Sequence, residues 1–190
     1  YYPKPVKLKA EETYIRAAHG GVGEAKTAGN YAASLYPAKL AKEEGYDQIM
    51  WLDAKEFKYV QEVGTMNIFF VIGDEVITPA TTGTILKGIT RKTIIEILKG
   101  KGYKVTERQI TIDEVVEADK KGELKEVFGT GTAAVIAVVD EIKYREHIMY
   151  LNPENFVVAK LAKSIINGLR NRTIEDTYGW VVEAGATVAS

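Results

Sequence analysis

Short apolar runs alternate with helix-like stretches along most of this chain, and that alternation restricts the fold more than any other feature. "DQIMWL" (47–52) has the length and continuous apolarity of a buried strand. "MNIFFVIGDEVITP" (66–79) is two apolar runs about Gly73 and Asp74, which signals a hairpin. "YKVTERQI" (103–110) alternates like a strand, and "LKEVFGTGTAAVIAVV" (124–139) reads as strand, Gly-Thr turn, strand. Between them, "NYAASLYPAKLAKEEG" (30–45) sets Tyr31, Leu35, Ala38 and Ala41 near helical spacing and stops at Gly45. Pro37 inside it predicts a kink or a late start. "TRKTIIEILKGKG" (90–102) gathers Ile94, Ile95 and Leu98 on one helical face. "TIDEVVEADKKG" (111–122) opens with the capping-box pair Thr111 and Glu114. "NPENFVVAKLAKSIINGLRN" (152–171) predicts an amphipathic helix with Asn152 as N-cap and Pro153 at the first position. Strands mixed with helices in this order predict an α/β or α+β fold with a mixed sheet.

At 190 residues the chain suits one domain, large enough to bury most of its apolar surface without staples. "TYIRAA" (13–18) has β-rich character and leads into a glycine-rich loop. The opening twelve residues, with Pro3 and Pro5 and no strong periodicity, read as an interdomain linker. A start at Tyr1 rather than methionine reads as a processed end or a cut inside a longer protein. The expected organisation is a linker over 1–12 and one domain over 13–190.

A formal net charge of −1 offers no electrostatic footprint for nucleic acid. No apolar run reaches membrane-spanning length. Without cysteine the chain has no disulfides, thiolate metal sites or thiol nucleophiles, a composition compatible with the cytoplasm. His19 and His147 stand far apart without H-E-x-x-H spacing, so no metal site is expected.

"HGGVGEAKT" (19–27) holds the most suggestive chemistry. It nearly matches the phosphate loop G-x-x-x-x-G-K-[ST], but Ala25 stands where that motif has glycine. Asp53, closing the strand "IMWLD", would then be a magnesium ligand, although a strand-end turn residue is the cheaper reading. The alternative use of Lys26 is covalent catalysis, with glycines letting the backbone bend closely around the amine. Glu62 precedes the run Ile68–Val71, and the turn at Gly64 and Thr65 could aim it inward. Tyr31, five residues past Lys26, could offer a hydroxyl to the same pocket. Two loops resemble anion cradles. In "LKGITRKT", Gly88, Ile89 and Thr90 precede a helix whose N–H groups attract phosphate. In "FGTGTAA", successive backbone N–H groups could form an anion-binding nest.

Four stretches in order, "RAAHGGVGEAKTAGNYAASL", "EVGTMNIFFV", "ILKGITRKTI" and "EVFGTGTAA", resemble the large domain of branched-chain amino acid aminotransferases, class IV pyridoxal-phosphate enzymes. The resemblance runs from about Tyr14 to Trp180. It implies a mixed sheet or pseudo-barrel flanked by helices. It also implies pyridoxal 5′-phosphate as cofactor and Lys26 as the residue bound covalently to it. Tyr31 would then bond the phenolic oxygen and Glu62 would pair with the pyridine nitrogen. Ile89, Thr90 and Thr132 would hold the phosphate, and the main chain at Thr132 and Ala133 the substrate carboxylate. The near-match to a phosphate loop is then a coincidence. The implied reaction is reversible amino transfer between leucine, isoleucine or valine and 2-oxoglutarate, in a cytoplasmic homodimer. The family also has a smaller N-terminal domain, absent from this sequence, which supplies an arginine to the phosphate and part of the substrate pocket. Rival readings are a D-amino acid aminotransferase, an aminodeoxychorismate lyase, or a cofactor-binding or dimerising fragment without activity.

Overall fold

A computed structural model describes residues 4–182. Nine strands and four α-helices make up the described chain. They are β1 (Val6–Glu11), α1 (Ala28–Glu43), β2 (Gln48–Leu52), β3 (Val60–Val63), β4 (Asn67–Ile72), β5 (Glu75–Thr78), α2 (Ile89–Gly100), β6 (Lys104–Glu107), α3 (Ile112–Lys120), β7 (Leu124–Gly131), β8 (Val135–Tyr144), β9 (His147–Tyr150) and α4 (Val158–Arg170). The sheet is mixed, in the order β3-β2-β1-β8-β7-β4-β5-β6, with β9 on β8. Val63 and Met66 exchange backbone hydrogen bonds across the β3–β4 turn. Two strands far apart in sheet order therefore meet at one end, and the sheet curls into a half-barrel with helices around it. This is the expected α/β architecture with a mixed sheet.

The segment 1–12 is not simply a linker. Residues 6–11 form β1, parallel to both β2 and β8 and inside the sheet. The cause is legible in "VKLKA": Val6, Leu8 and Ala10 are buried while Lys7 is exposed, a period of two. Pro5 precedes the strand and costs it no ladder bond. The β-rich "TYIRAA", by contrast, is no strand; it crosses from β1 to the glycine loop.

β4 explains its own apolar run. Ile68 and Phe70 face one buried cluster, with α3; Phe69 and Val71 face another, under α2 and α4. A strand buried on both faces has no polar side to alternate with. Phe69 pairs with Phe128 of β7 in register, their rings stacked 5.3 Å apart. The hairpin at Gly73 forms as expected, with Gly73 at φ 59° and Ile72 opposite Glu75. The Thr111 hydroxyl accepts from the Glu114 N–H, so that half of the capping box forms, while the Glu114 carboxylate pairs with Arg108 instead.

Two helices depart from expectation. α1 starts at Ala28 and runs through Pro37, so the proline does not delay the helix. Pro37 is buried, and packing outweighs the one backbone bond it cannot make. The last helix divides. Asn152 caps only a 3-10 turn at Pro153–Asn155. α4 begins later, and its cap comes from β7: the buried Glu126 carboxylate accepts from the N–H groups of Val157, Val158 and Ala159. A charge at a helix N-terminus is stabilised by those donors and by the helix dipole. No local signal in "NPENF" could report it.

Candidate active site

Every site residue expected from the sequence lines one of two adjoining cavities. The narrow one is bounded by Lys26, Glu62, Thr65, Asn67, Gly88, Ile89, Thr90, Thr130 and Thr132, among others. The wider, about 350 Å³, is bounded by Lys26, Tyr31, Gln48, Thr65, Met66, Thr132, Ala133 and Ala134. Lys26, Thr65, Gly131 and Thr132 line both. Glu62 with Ile89 and Thr90 thus lies on one side, and Tyr31 with Ala133 on the other.

The Lys26 loop is a compact turn carried on the start of α1. Asn30 is buried, and its side-chain amide donates to the carbonyls of Val22 (2.9 Å) and Ala25 (3.0 Å). These bonds close the turn and set Lys26 at the cavity edge, where it is exposed. The described residues alone do not enclose the amine. Asp53 is the turn residue of the cheaper reading. Its carboxylate accepts from the N–H groups of Lys55, Glu56, Lys58 and Tyr59, and the decoy magnesium site dissolves.

Glu62 does come before the strand β4, but it sits within a strand of its own, β3, and is 2% exposed. One carboxylate oxygen accepts from the Leu86 N–H at 2.6 Å, and the other meets Arg16 Nε at 3.0 Å. Burial pushes its pKa up to about 7, opposed by the Arg16 charge and the Leu86 N–H.

That shift has a stability consequence in the cofactor-free chain. The folded state holds this proton more tightly than the unfolded chain, whose glutamates titrate near 4.5. The stabilisation is complete below the unfolded value and is lost as pH rises through about 7. Glu62→Gln removes the ionisation. The fall in unfolding free energy from about pH 5 to about pH 8 should then be smaller than in wild type by about 2–3 kcal/mol. Urea titrations at both pH values measure it, and parallel wild-type and variant slopes would refute it.

α2 begins at the cavity wall. No side chain caps it, and Gly88 is its N-cap. The first-turn N–H groups, with the helix dipole behind them, face a place suited to an anion. Ile89 is 78% exposed, and its backbone N–H belongs to that first turn. Asn67 holds the approach by donating to the Leu86 carbonyl at 2.8 Å. A Cβ on Gly88 would lie 2.2 Å from Asn67 Oδ1, so glycine is required for that fit. Opposite, the turn after β7 ends in Val135 at φ 59°, a left-handed conformation that strains a β-branched residue. Thr130 Oγ1 is buried against the narrow cavity with no hydrogen-bond partner among the described residues. An orphaned buried hydroxyl at a cavity wall fits a ligand that supplies the missing partner.

Sequence reasoning missed Arg16, Asn30, Asn67 and Thr130. Arg16 carried a signal: an arginine within "YIRAA", amid apolar and small residues, has an apolar setting that demands a partner.

The family model described as amino-transferase class IV matches residues 2–142. A probable branched-chain-amino-acid aminotransferase of Staphylococcus aureus (strain N315) is 52% identical over 180 residues, 94% of this chain and 50% of the relative. Branched-chain-amino-acid aminotransferase 2 of Bacillus subtilis (strain 168) is 47% identical over 188 residues, 98% of this chain and 52% of the relative. Among solved structures, a branched-chain amino acid aminotransferase from Escherichia coli superposes with a TM-score of 0.78 at 28% identity. The match covers 93% of this chain and 56% of that one. The chain spans about half the length of the curated relatives it matches. With a family model over most of its length and the half-barrel of solved aminotransferases, the chain belongs to the class IV aminotransferases.

Proposed function

We propose that this chain is the cofactor-binding portion of a branched-chain amino acid aminotransferase. The reaction is reversible amino transfer between leucine, isoleucine or valine and 2-oxoglutarate. Pyridoxal 5′-phosphate is the cofactor. One observation carries the reading: a lysine, a buried carboxylate, an uncapped helix N-terminus and a Gly-Thr turn converge on two adjoining cavities. The two relatives near 50% identity support the substrate class.

The residues fit the cofactor by chemistry. It carries a phosphate, a ring nitrogen and an aldehyde, and the walls offer helix N–H donors, a carboxylate and an amine. The orphaned Thr130 hydroxyl adds a further polar group for it. When bound, pyridoxal phosphate supplies an electron sink for the charge left as the substrate's α-proton departs. Lys26 Nζ would hold it covalently, and the free amine would carry that proton as general base and then acid. The Glu62 carboxylate favours a protonated ring nitrogen, and that cation in turn favours the ionised carboxylate. The Tyr31 hydroxyl, on the wider cavity, would donate to the phenolic oxygen. The N–H groups of Ile89 and Thr90, with Thr132, would hold the phosphate and so orient the reacting carbon. The main chain at Thr132 and Ala133 receives the substrate carboxylate.

On this reading the working enzyme is a cytoplasmic homodimer, and a smaller domain outside residues 13–190 completes the substrate pocket. No helix among the described residues is long and apolar enough to cross a membrane. The test is direct. The chain is mixed with pyridoxal 5′-phosphate, reduced with borohydride, and the labelled peptide mapped. Label on Lys26, with a visible band that L-leucine bleaches and D-alanine does not, is the expected result. Label scattered over surface lysines would sink the proposal.

A further inference from the structure

We propose that Arg16 is a positioning residue of this site. Its guanidinium holds the Glu62 carboxylate and also ties the Lys26 loop to the strap that leads into α2. The inference rests on the proposed function in taking Glu62 as the partner of the ring nitrogen.

Arg16 is 9% exposed, in the crossing segment between β1 and the glycine loop. Its Nε lies 3.0 Å from the Glu62 carboxylate. One terminal nitrogen donates both to the Gly23 carbonyl (3.2 Å) and to the Thr84 carbonyl (2.7 Å). A single rigid fork thus touches three separate segments. Gly23 stands three residues before Lys26, Thr84 lies in the strap four residues before Gly88, and Glu62 lies on β3. The strap is joined to Glu62 a second time, through the Leu86 N–H.

An arginine kept only to neutralise a buried carboxylate needs one contact, and such pairs are often replaceable by apolar residues. The two carbonyl contacts are what that simpler role leaves unexplained. They join the loop that carries the amine to the strap that starts the anion-binding helix. Outside the cavity the same two segments meet through an exposed pair, Lys87 and Glu24, at 3.1 Å. Water screens that pair, so it holds weakly. Lysine at position 16 could keep the charge but not the planar fork that spans all three segments. Two cations border Glu62: Arg16 in direct contact and Lys26 across the narrow cavity.

Two readouts on the same proteins test this. First, the Glu62 carboxyl is titrated by carbon-13 NMR in the cofactor-free chain, for wild type, Arg16→Lys and Arg16→Met. Second, pyridoxal 5′-phosphate affinity is measured from the absorbance of bound cofactor, with Glu62→Gln and Arg16→Met/Glu62→Gln completing a double-mutant cycle. Arg16→Met should raise the Glu62 midpoint by about one pH unit or more, because the opposing charge is gone. Arg16→Lys should leave the midpoint within about half a unit. Both variants should bind the cofactor about ten-fold more weakly. The double variant should lose less than the product of the two single losses, by about three-fold or more, because part of each loss is the contact the two side chains share. Wild-type affinity in Arg16→Lys overturns the tie between loop and strap, and that variant decides alone if Arg16→Met does not fold. Losses that multiply in the double variant overturn the link through Glu62. If wild type binds no cofactor, the proposed function fails. The titration still judges Arg16 then: an unchanged midpoint in Arg16→Met overturns its hold on Glu62, and a raised one sustains it.

Discussion

Replacing Lys26 with alanine is expected to slow amino transfer by roughly 10²–10⁴-fold, the range for loss of a positioned acid–base group. It should also abolish the borohydride-stable label. Stability should change little, because Lys26 is exposed and its loop is closed by Asn30 rather than by its own side chain. Lys26→Arg separates charge from chemistry. A guanidinium keeps the positive charge but does not deprotonate near neutrality, so it cannot act as base. Both variants should therefore be slow, and added methylamine should restore part of the rate in the alanine variant alone. The measurements are single-turnover kinetics with leucine and a thermal melt. A Lys26→Ala protein with wild-type turnover would remove the lysine from the mechanism and return the glycine loop to a structural role.

The sequence carried the local parts of this molecule better than the long-range ones. The Gly73 hairpin, the Thr111 cap and the strand over 47–52 were legible because their causes lie within a few residues. β3 and β9 are not legible because each is four residues long, too short to show a clear period. β1 differs: its alternation in "VKLKA" is clear, but Pro3 and Pro5 stand just before it and mask it as a linker. At the site, lysine, glutamate, tyrosine and the two cradle loops could be named from residue type and setting. Their supports could not. Glu126 caps a helix more than thirty residues away, and Arg16 meets Thr84 across 68 positions. Such contacts exist only after the sheet has curled, and no window of sequence contains them. The exposure of Lys26 has a similar origin. Its loop is readable, but what would enclose the amine is not among the described residues.

Gly23→Ala should be the most damaging of the loop substitutions. The built methyl would lie 2.6 Å from the Ala17 Cβ, 2.7 Å from the Thr84 Cα and 2.7 Å from the Thr84 carbonyl oxygen. Two of those atoms are backbone and cannot rotate aside, so the loop and the strap must separate. Overpacking of this kind costs about 1–3 kcal/mol. Here it would also break the shared grip of Arg16 on the Gly23 and Thr84 carbonyls. Cofactor affinity should fall about 10- to 100-fold, following that energy at 1.4 kcal/mol per decade. Gly20→Ala is the informative comparison. Gly20 has φ 77° with nothing within 4 Å of a built methyl, so alanine there meets backbone strain but no neighbour. It should cost about 1 kcal/mol of stability and leave affinity within about three-fold. A melt and an absorbance titration of the two variants then distinguish two requirements on one loop. A large affinity loss in Gly23→Ala alone would locate the constraint in the contact with Thr84. Equal losses would locate it in the loop's backbone conformation, and Arg16 would then be following the loop rather than holding it.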